Sequence, residues 1–264
     1  MAIDIGSEAT DRTSGDTKNN TYISLNNPAT SNGTITSIEI WPTVGGGVIS
    51  GFEVAIFYLV SGSNYSTRDY EAIPGNITAG QKSTFTVDLD IQVGDLIGCT
   101  WTGGASASIE CDNTGGSGIL YATGNVIPCT NQAFSVLRAA GIHSLHGIGV
   151  MLPTVTTQAV TDILTTTATG NGNITDTGGE NCTKRGICYN ITGNPTVTDS
   201  KVEETGSFGT GAFTESLINL DNEKKYYAKA YTYNSVGYAY GAEVEFTTLG
   251  GGSPAATHNF FGHN

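Results

Sequence analysis

Residues 217–248, LINLDNEKKYYAKAYTYNSVGYAYGAEVEFTT, alternate in period two, and that pattern limits what the chain can become. Tyr226, Ala228, Ala230 and Thr232 fall on one side, with Tyr227, Lys229, Tyr231 and Tyr233 on the other. This predicts a strand with its first set buried and its second exposed. Asn234-Ser235-Val236-Gly237 turns the chain, and Ala242, Val244 and Phe246 line the return.

The same period recurs upstream. Residues 34–41 alternate Ile38 and Ile40 before Pro42. In residues 51–60, Phe52, Val54, Ile56, Tyr58 and Val60 oppose Ala55, Phe57 and Leu59, so both faces are apolar and a central strand covered twice is expected. Residues 83–91 set Phe85, Val87, Leu89 and Ile91 against Thr84, Thr86, Asp88 and Asp90. Shorter strands are expected over 96–101, 107–111, 118–122 and 142–150. Only residues 132–140 read as a helix candidate. With 36 Gly and 13% charged residues, the composition suits short strands and tight turns. The fold class expected is all-β, two β-sandwiches in tandem, the first jelly-roll-like. The expected division is a loosely held polar arm over 1–20, a first sandwich over 21–150, a second over 151–249 and a Gly-rich tail over 250–264.

Leu220 stands six residues before Tyr226, the spacing of a tyrosine corner, in which a phenol bonds back to the backbone and pins a sandwich edge. On these residues, 153–248 resemble the fibronectin type III-like (immunoglobulin-like) repeats of bacterial and phage surface proteins. Tyr189 stands where that family usually has Trp. Residues 21–150 are similar to a module of environmental phage and prokaryotic surface proteins. The likeness is carried by Ala9-Thr10-Asp11-Arg12, residues 57–62, Ser66-Thr67-Arg68-Asp69 and residues 88–95. The resemblances imply architecture and name no ligand.

Chemistry is sparse. The chain has no Gly-x-Ser-x-Gly, His-Glu-x-x-His, Walker or Rossmann pattern, and no enzyme or cofactor is expected. His143 and His146, three apart on one expected strand, point to opposite faces and share no metal, nor do His258 and His263 in the tail. Asp88, Asp90 and Asp95 offer three carboxylates to a calcium ion, but the pattern reads first as an ordinary solvent face followed by a turn. Cys182 and Cys188, on one expected strand, lie about 20 Å apart and cannot bond. A net charge of -13 with no basic patch argues against nucleic acid. The opening MAIDIGSEATDRTSGD lacks the basic start and apolar core of a signal peptide, and no apolar run approaches the ~20 residues of a membrane helix. Either the numbering begins after processing, or the protein is made in the cytoplasm and reaches the exterior otherwise, as virions do on lysis.

The binding candidates are Tyr227, Tyr231 and Tyr233 on the outer face of the late strand, with Tyr238 and Tyr240 across the turn, and Phe260 and Phe261 in the tail. Their expected partners are other copies of the chain, other structural subunits, or a host-surface glycan or protein. The function expected is non-enzymatic: a structural and binding protein on a particle exterior, first of all a virion component such as a tail fibre, spike or capsid-decorating subunit. Its location would be the virion surface or extracellular space. The alternatives are a prokaryotic cell-surface adhesin or extracellular filament subunit, and a carbohydrate-binding module using Trp41 or Trp101.

Overall fold

Fourteen strands precede the Val150–Pro153 junction among the described residues, and they make three sheets around two apolar cores. The computed structural model describes residues 2–43, 47–103 and 108–251, and these form strands and turns with no helix. The chain divides into a first unit, Met1–Leu152 with Gly178–Glu180, and a second, Pro153–Thr177 with Asn181–Asn264.

The strands of the first unit are β1 (Ile3–Gly6), β2 (Ser14–Asp16), β3 (Asn20–Ser24), β4 (Gly33–Ile40), β5 (Val48–Ser61), β6 (Asn64–Thr78) and β7 (Ser83–Ile91). They continue as β8 (Leu96–Thr100), β9 (Ile109–Asp112), β10 (Ile119–Thr123), β11 (Gln132–Ala133), β12 (Ser135–Arg138), β13 (Ile142–His143) and β14 (Leu145–Val150). A four-stranded sheet runs β1-β14-β4-β7, a seven-stranded one β11-β6-β5-β8-β3-β10-β12, and a small one β13-β9-β2. The alternation in residues 83–91 survives as β7, with Val87, Leu89 and Ile91 buried.

Strand β5 is covered twice, as its two apolar faces require. Phe52, Val54 and Ile56 enter the main core between the sheets, with Ile35, Ile38, Leu89 and Trp101. Ala55 and Phe57 enter a second core with Ile23, Tyr65, Leu120 and Phe134. That second core explains why the helix expected over 132–140 is absent. The segment is instead two short strands: β11 pairs with β6, β12 pairs with β10, and only Phe134 separates them. It therefore bridges both ends of the seven-stranded sheet, and Phe134 seals the interior edge-on to Phe57 and Tyr65, 5.7 and 5.8 Å between centroids. Backbone donors offered by two distant strands outweigh the local preference of Gln132–Ala140 sequence for a helix.

The polar arm expected over 1–20 is also built in. Ile3 and Ile5 are buried on β1, which pairs with β14, and β2 pairs with β9. Two isoleucines at alternate positions were a sufficient strand signal, but a four-residue one.

The second unit contains β15 (Thr154–Thr161), β16 (Ala168–Asp176), β17 (Cys182–Asn190), β18 (Ser200–Phe208), β19 (Gly211–Leu217), β20 (Lys225–Tyr233), β21 (Tyr238–Tyr240) and β22 (Val244–Thr247). Sheets β15-β16-β19 and β18-β17-β20-β21, with β22 also on β20, enclose Val155, Ile174, Ile187, Phe213, Leu217, Ala228 and Phe246. This is a fibronectin type III-like, immunoglobulin-like sandwich. Its corner is formed: the Asp221 N–H donates to Tyr226 Oη at 2.9 Å, beside buried Leu220. Tyr226 stacks on Phe246 at 5.5 Å and meets Tyr189 at 6.2 Å, so Tyr189 fills the place expected of a Trp ring.

None of the five cysteines forms a disulfide, and four of them are buried. The pairing of β17 with β18 slips between Cys182 and Lys184, where two residues of β17 face three of β18, so regular alternation does not extend to Cys182. Cys182 thus enters the core while Cys188 does not, correcting the expectation that they share a face. Burial raises the Cys111 thiol to about 12 and the Cys188 thiol to about 11. Titration with a thiol reagent at neutral pH should therefore detect only half-buried Cys129 in native protein. All five should react in denaturant without any reductant, and a smaller denatured count would reveal a disulfide.

Candidate functional site

The outer face of the larger sheet in the second unit is read directly from its register. Strand β20 puts Tyr227, Lys229, Tyr231 and Tyr233 on the side away from the core. Across β17 their partners are Asn190, Cys188, Gly186 and Lys184. Further out, Lys201 and Glu203 of β18 oppose Cys188 and Gly186, while Tyr238 and Tyr240 of β21 oppose Tyr233 and Tyr231. One row is Lys184, Tyr233, Tyr238; the next is Glu203, Gly186, Tyr231, Tyr240; a third is Lys201, Cys188, Lys229.

Tyr231 belongs to this face but is buried, which corrects its expected role as an exposed contact. Its ring lies over Gly186, where a Cβ would come within 2.7 Å of the phenol oxygen and 2.1 Å of the Val202 carbonyl oxygen. Tyr238 and Tyr240 close over it, 6.0 and 6.3 Å between centroids. The phenol donates to Glu203 Oε2 at 3.0 Å, and burial followed by the Glu203 carboxylate drives its pKa far above the ordinary tyrosine value. Burial alone would raise Glu203, but hydrogen bonds from Lys201 and Tyr231 and the charges of Lys201 and Lys184 hold it below the usual carboxylate value. Tyr231 is thus the floor of the face, and Tyr227, Tyr233, Tyr238 and Tyr240 remain partly or well exposed.

Lys184 and Lys201 are what sequence reading missed beside Lys229. The Lys184 ammonium stands 5.8 and 5.9 Å from the Tyr233 and Tyr238 ring centres, donates to the Tyr238 phenol at 3.4 Å and lies 3.7 Å from Glu203. The hydrogen bond to Tyr238, then the charge of Glu203, raise its pKa. Lys201 pairs with Glu203 at 3.1 Å, and Lys229 donates to Asn194 Oδ1. Only strand pairing brings residues 184, 201 and 229 together. Phe260 and Phe261, the other candidates, lie outside the described residues, as do His258 and His263.

Removing the corner hydroxyl with Tyr226→Phe should cost the second unit about 1 to 2 kcal/mol. Tyr231→Phe should cost about as much, because its hydroxyl is also buried and bonded. Urea unfolding followed by tyrosine near-ultraviolet dichroism reads both, and a negligible loss at Tyr231 would return that ring to solvent.

The residues that stood out in the first unit hold one another. Arg68 grips buried Asp95 with both arms of its guanidinium, Nη2 to Oδ1 at 3.0 Å, and Asp95 also accepts the Gln92 N–H at 2.8 Å. Asp95 is therefore withdrawn from the calcium trio. The Asp88 and Asp90 amides of β7 donate to Glu71 Oε2 and Asp69 Oδ2 at 3.1 and 2.9 Å, so side chains of β6 satisfy an edge strand. Arg12 is spent likewise: Nε on Ser144, Nη1 on Asp112, Nη2 on the Glu8 carbonyl, at 2.8, 3.2 and 3.0 Å. A cleft of about 430 Å³ beside it is lined by Asp11, Thr13, Ser14, Gly15, Thr43, Ser108 and Glu110.

The histidines separate because the strand expected over 142–150 breaks at Ser144 into β13 and β14. His143 is fully buried, 3.3 Å from Asp16, whereas His146 meets Asp4 at 2.7 Å and Glu39 at 3.6 Å. Among the described residues no group of three or more His, Cys, Asp or Glu is arranged to hold a metal ion. Trp101, offered for glycan stacking, is fully buried against Tyr22 at 5.4 Å and is unavailable for that role.

No family model matches this chain, and no curated protein matches it. Among solved structures, it is similar to the sensor domain of the anti-sigma factor RsgI4 of Pseudobacteroides cellulosolvens at 14% identity and TM-score 0.31, covering 39% of this chain and 99% of that one. The chicken CNTN1 FN1–FN3 domains align at 12% identity and TM-score 0.30, over 91% of this chain and 70% of that chain. A β-glucuronidase of Parabacteroides merdae aligns at 12% identity and TM-score 0.25, over 89% and 29%. Likenesses this slight say nothing of what the chain binds.

Proposed function

We propose that this chain is a non-enzymatic structural and binding protein displayed on a particle exterior, a self-assembling virion component such as a tail fibre, spike or capsid-decorating subunit. The observation that carries the binding part is the tyrosine–lysine face over β17, β18, β20 and β21. Tyrosine offers large contact area with little side-chain entropy to lose, and here the rings are already packed in place by Tyr231 beneath them. The virion part is supported by the resemblance of residues 153–248 to repeats of phage and bacterial surface proteins. In the first unit Arg12 and Arg68 are held by Ser144, Asp112 and Asp95, which suits a scaffold. A cell-surface adhesin or filament subunit uses the same face and differs in where it is anchored.

Electron microscopy of native material, labelled with antibody against the purified chain, tests this reading. Label on fibres, spikes or capsids is expected. Label on cell envelopes alone would favour the adhesin, and recovery only as free, unattached protein would overturn both.

A further inference from the structure

We infer that the tyrosine–lysine face of the second unit docks on a carboxylate shelf in the first unit of a second copy of this chain, an inference that rests on the self-assembly proposed above. Positive charge is scarce in a protein with 11 basic and 24 acidic residues. In the first unit Arg12, Arg68, Lys82 and Arg138 are paired with Asp112, Asp95, Glu39 and Asp16. Lys184, Lys201 and Lys229, by contrast, share one sheet face, where Glu203 is the acidic partner of the first two.

The arrangement selects an anionic partner over a neutral sugar. A sugar stacks on a bare aromatic ring, but the Lys184 ammonium already lies over Tyr233 and Tyr238. Cation and rings together present charge on an apolar platform. The face is also the broad surface of a sheet, which suits a protein surface better than a small ligand, since small ligands prefer concave sites.

A matching surface exists on the chain itself. Asp88 and Asp90 are exposed on β7, and Asp69 and Glu71 stand beside them on β6, fixed by the β7 amides. Arg68, next in sequence, is committed to Asp95. Four like charges gathered where β6 and β7 of two different sheets meet repel, and lysines from a second molecule relieve that repulsion while desolvating tyrosines. The two patches differ, so the contact is heterologous and propagates into a ring or an open filament.

Sedimentation velocity of the full chain, from about 20 to about 500 mM salt, tests this. Association should be strong at low salt and weaken at least about tenfold at high salt. The triple variant Lys184→Glu/Lys201→Glu/Lys229→Glu and the double variant Asp88→Lys/Asp90→Lys should each be monomeric, with unchanged circular dichroism. Mixed, they should assemble again, because each supplies the charge the other lacks. If the wild type associates and both variants do as well, self-assembly stands and this surface assignment falls. A wild type that stays monomeric throughout removes the self-assembly reading itself. Binding of monomeric wild type to an acidic polysaccharide such as alginate, lost in the triple variant, would replace the second copy with a glycan.

Discussion

Asp16→Ala should destabilise the first unit by about 3 to 5 kcal/mol, the cost of stripping one partner from a buried ionic cluster. Asp16 is 2% exposed, pairs through Oδ1 with Arg138 Nη1 and stands 3.3 Å from His143 Nε2 through Oδ2. Removing it leaves the Arg138 guanidinium with Asn113 Oδ1 alone and a wholly buried imidazole beside the ring of Tyr22, 5.6 Å away. Both tryptophans, Trp41 and Trp101, lie in this unit, so tryptophan fluorescence during urea unfolding reports on it alone. The same cluster sets an acid limit. Burial, only partly opposed by the charge of Asp16, holds the His143 pKa below its ordinary 6.5. The unfolded chain then binds a proton that the folded one refuses, so stability is full above about pH 6.5 and declines as pH falls from there toward the lowered folded value. In His143→Phe that decline should flatten. An unaltered pH profile, or a loss below about 1 kcal/mol in Asp16→Ala, would mean that the cluster is open to water.

In the second unit the largest effect is expected from Gly186→Ala, about 2 to 3 kcal/mol. The added methyl would meet the Val202 carbonyl oxygen at 2.1 Å and the Tyr231 phenol at 2.7 Å. A backbone oxygen cannot retreat without opening the β17–β18 pairing, and Tyr231 cannot rise without displacing Tyr238 and Tyr240. Tyrosine near-ultraviolet dichroism should therefore lose intensity together with stability. Retained dichroism with a loss under about 0.5 kcal/mol would show that Tyr231 has another place to go.

The candidate site was half legible for a reason these two positions share. Period two says which residues share a face of one strand, so the outward row of Tyr227, Tyr231 and Tyr233 could be read along β20. It carries no information about which strand lies alongside. Gly186 opposite Tyr231, and Lys184 opposite Tyr233, are matters of register between strands some forty residues apart. Hence alternation alone reads Tyr231 as an exposed ring when it is the buried floor, and of the lysines that charge the face it shows only Lys229.

What the sequence determined by itself were properties set by one segment or by fixed short spacing. The all-β class follows from repeated alternation in strands such as β7 and β20. The double coverage of β5 follows from its two apolar faces, and the corner follows from Leu220 standing six before Tyr226. What only the tertiary structure decided were properties set by partners. Residues 132–138 became strands because β6 and β10 each offer a free edge. Cys182 parted from Cys188 because the pairing of β17 with β18 slips between Cys182 and Lys184, two residues of β17 facing three of β18. His143 parted from His146 because β13 and β14 join different sheets at Ser144. A strand satisfies half its backbone hydrogen bonds on each side, and the neighbour that completes them is chosen by the packed whole, not by the segment.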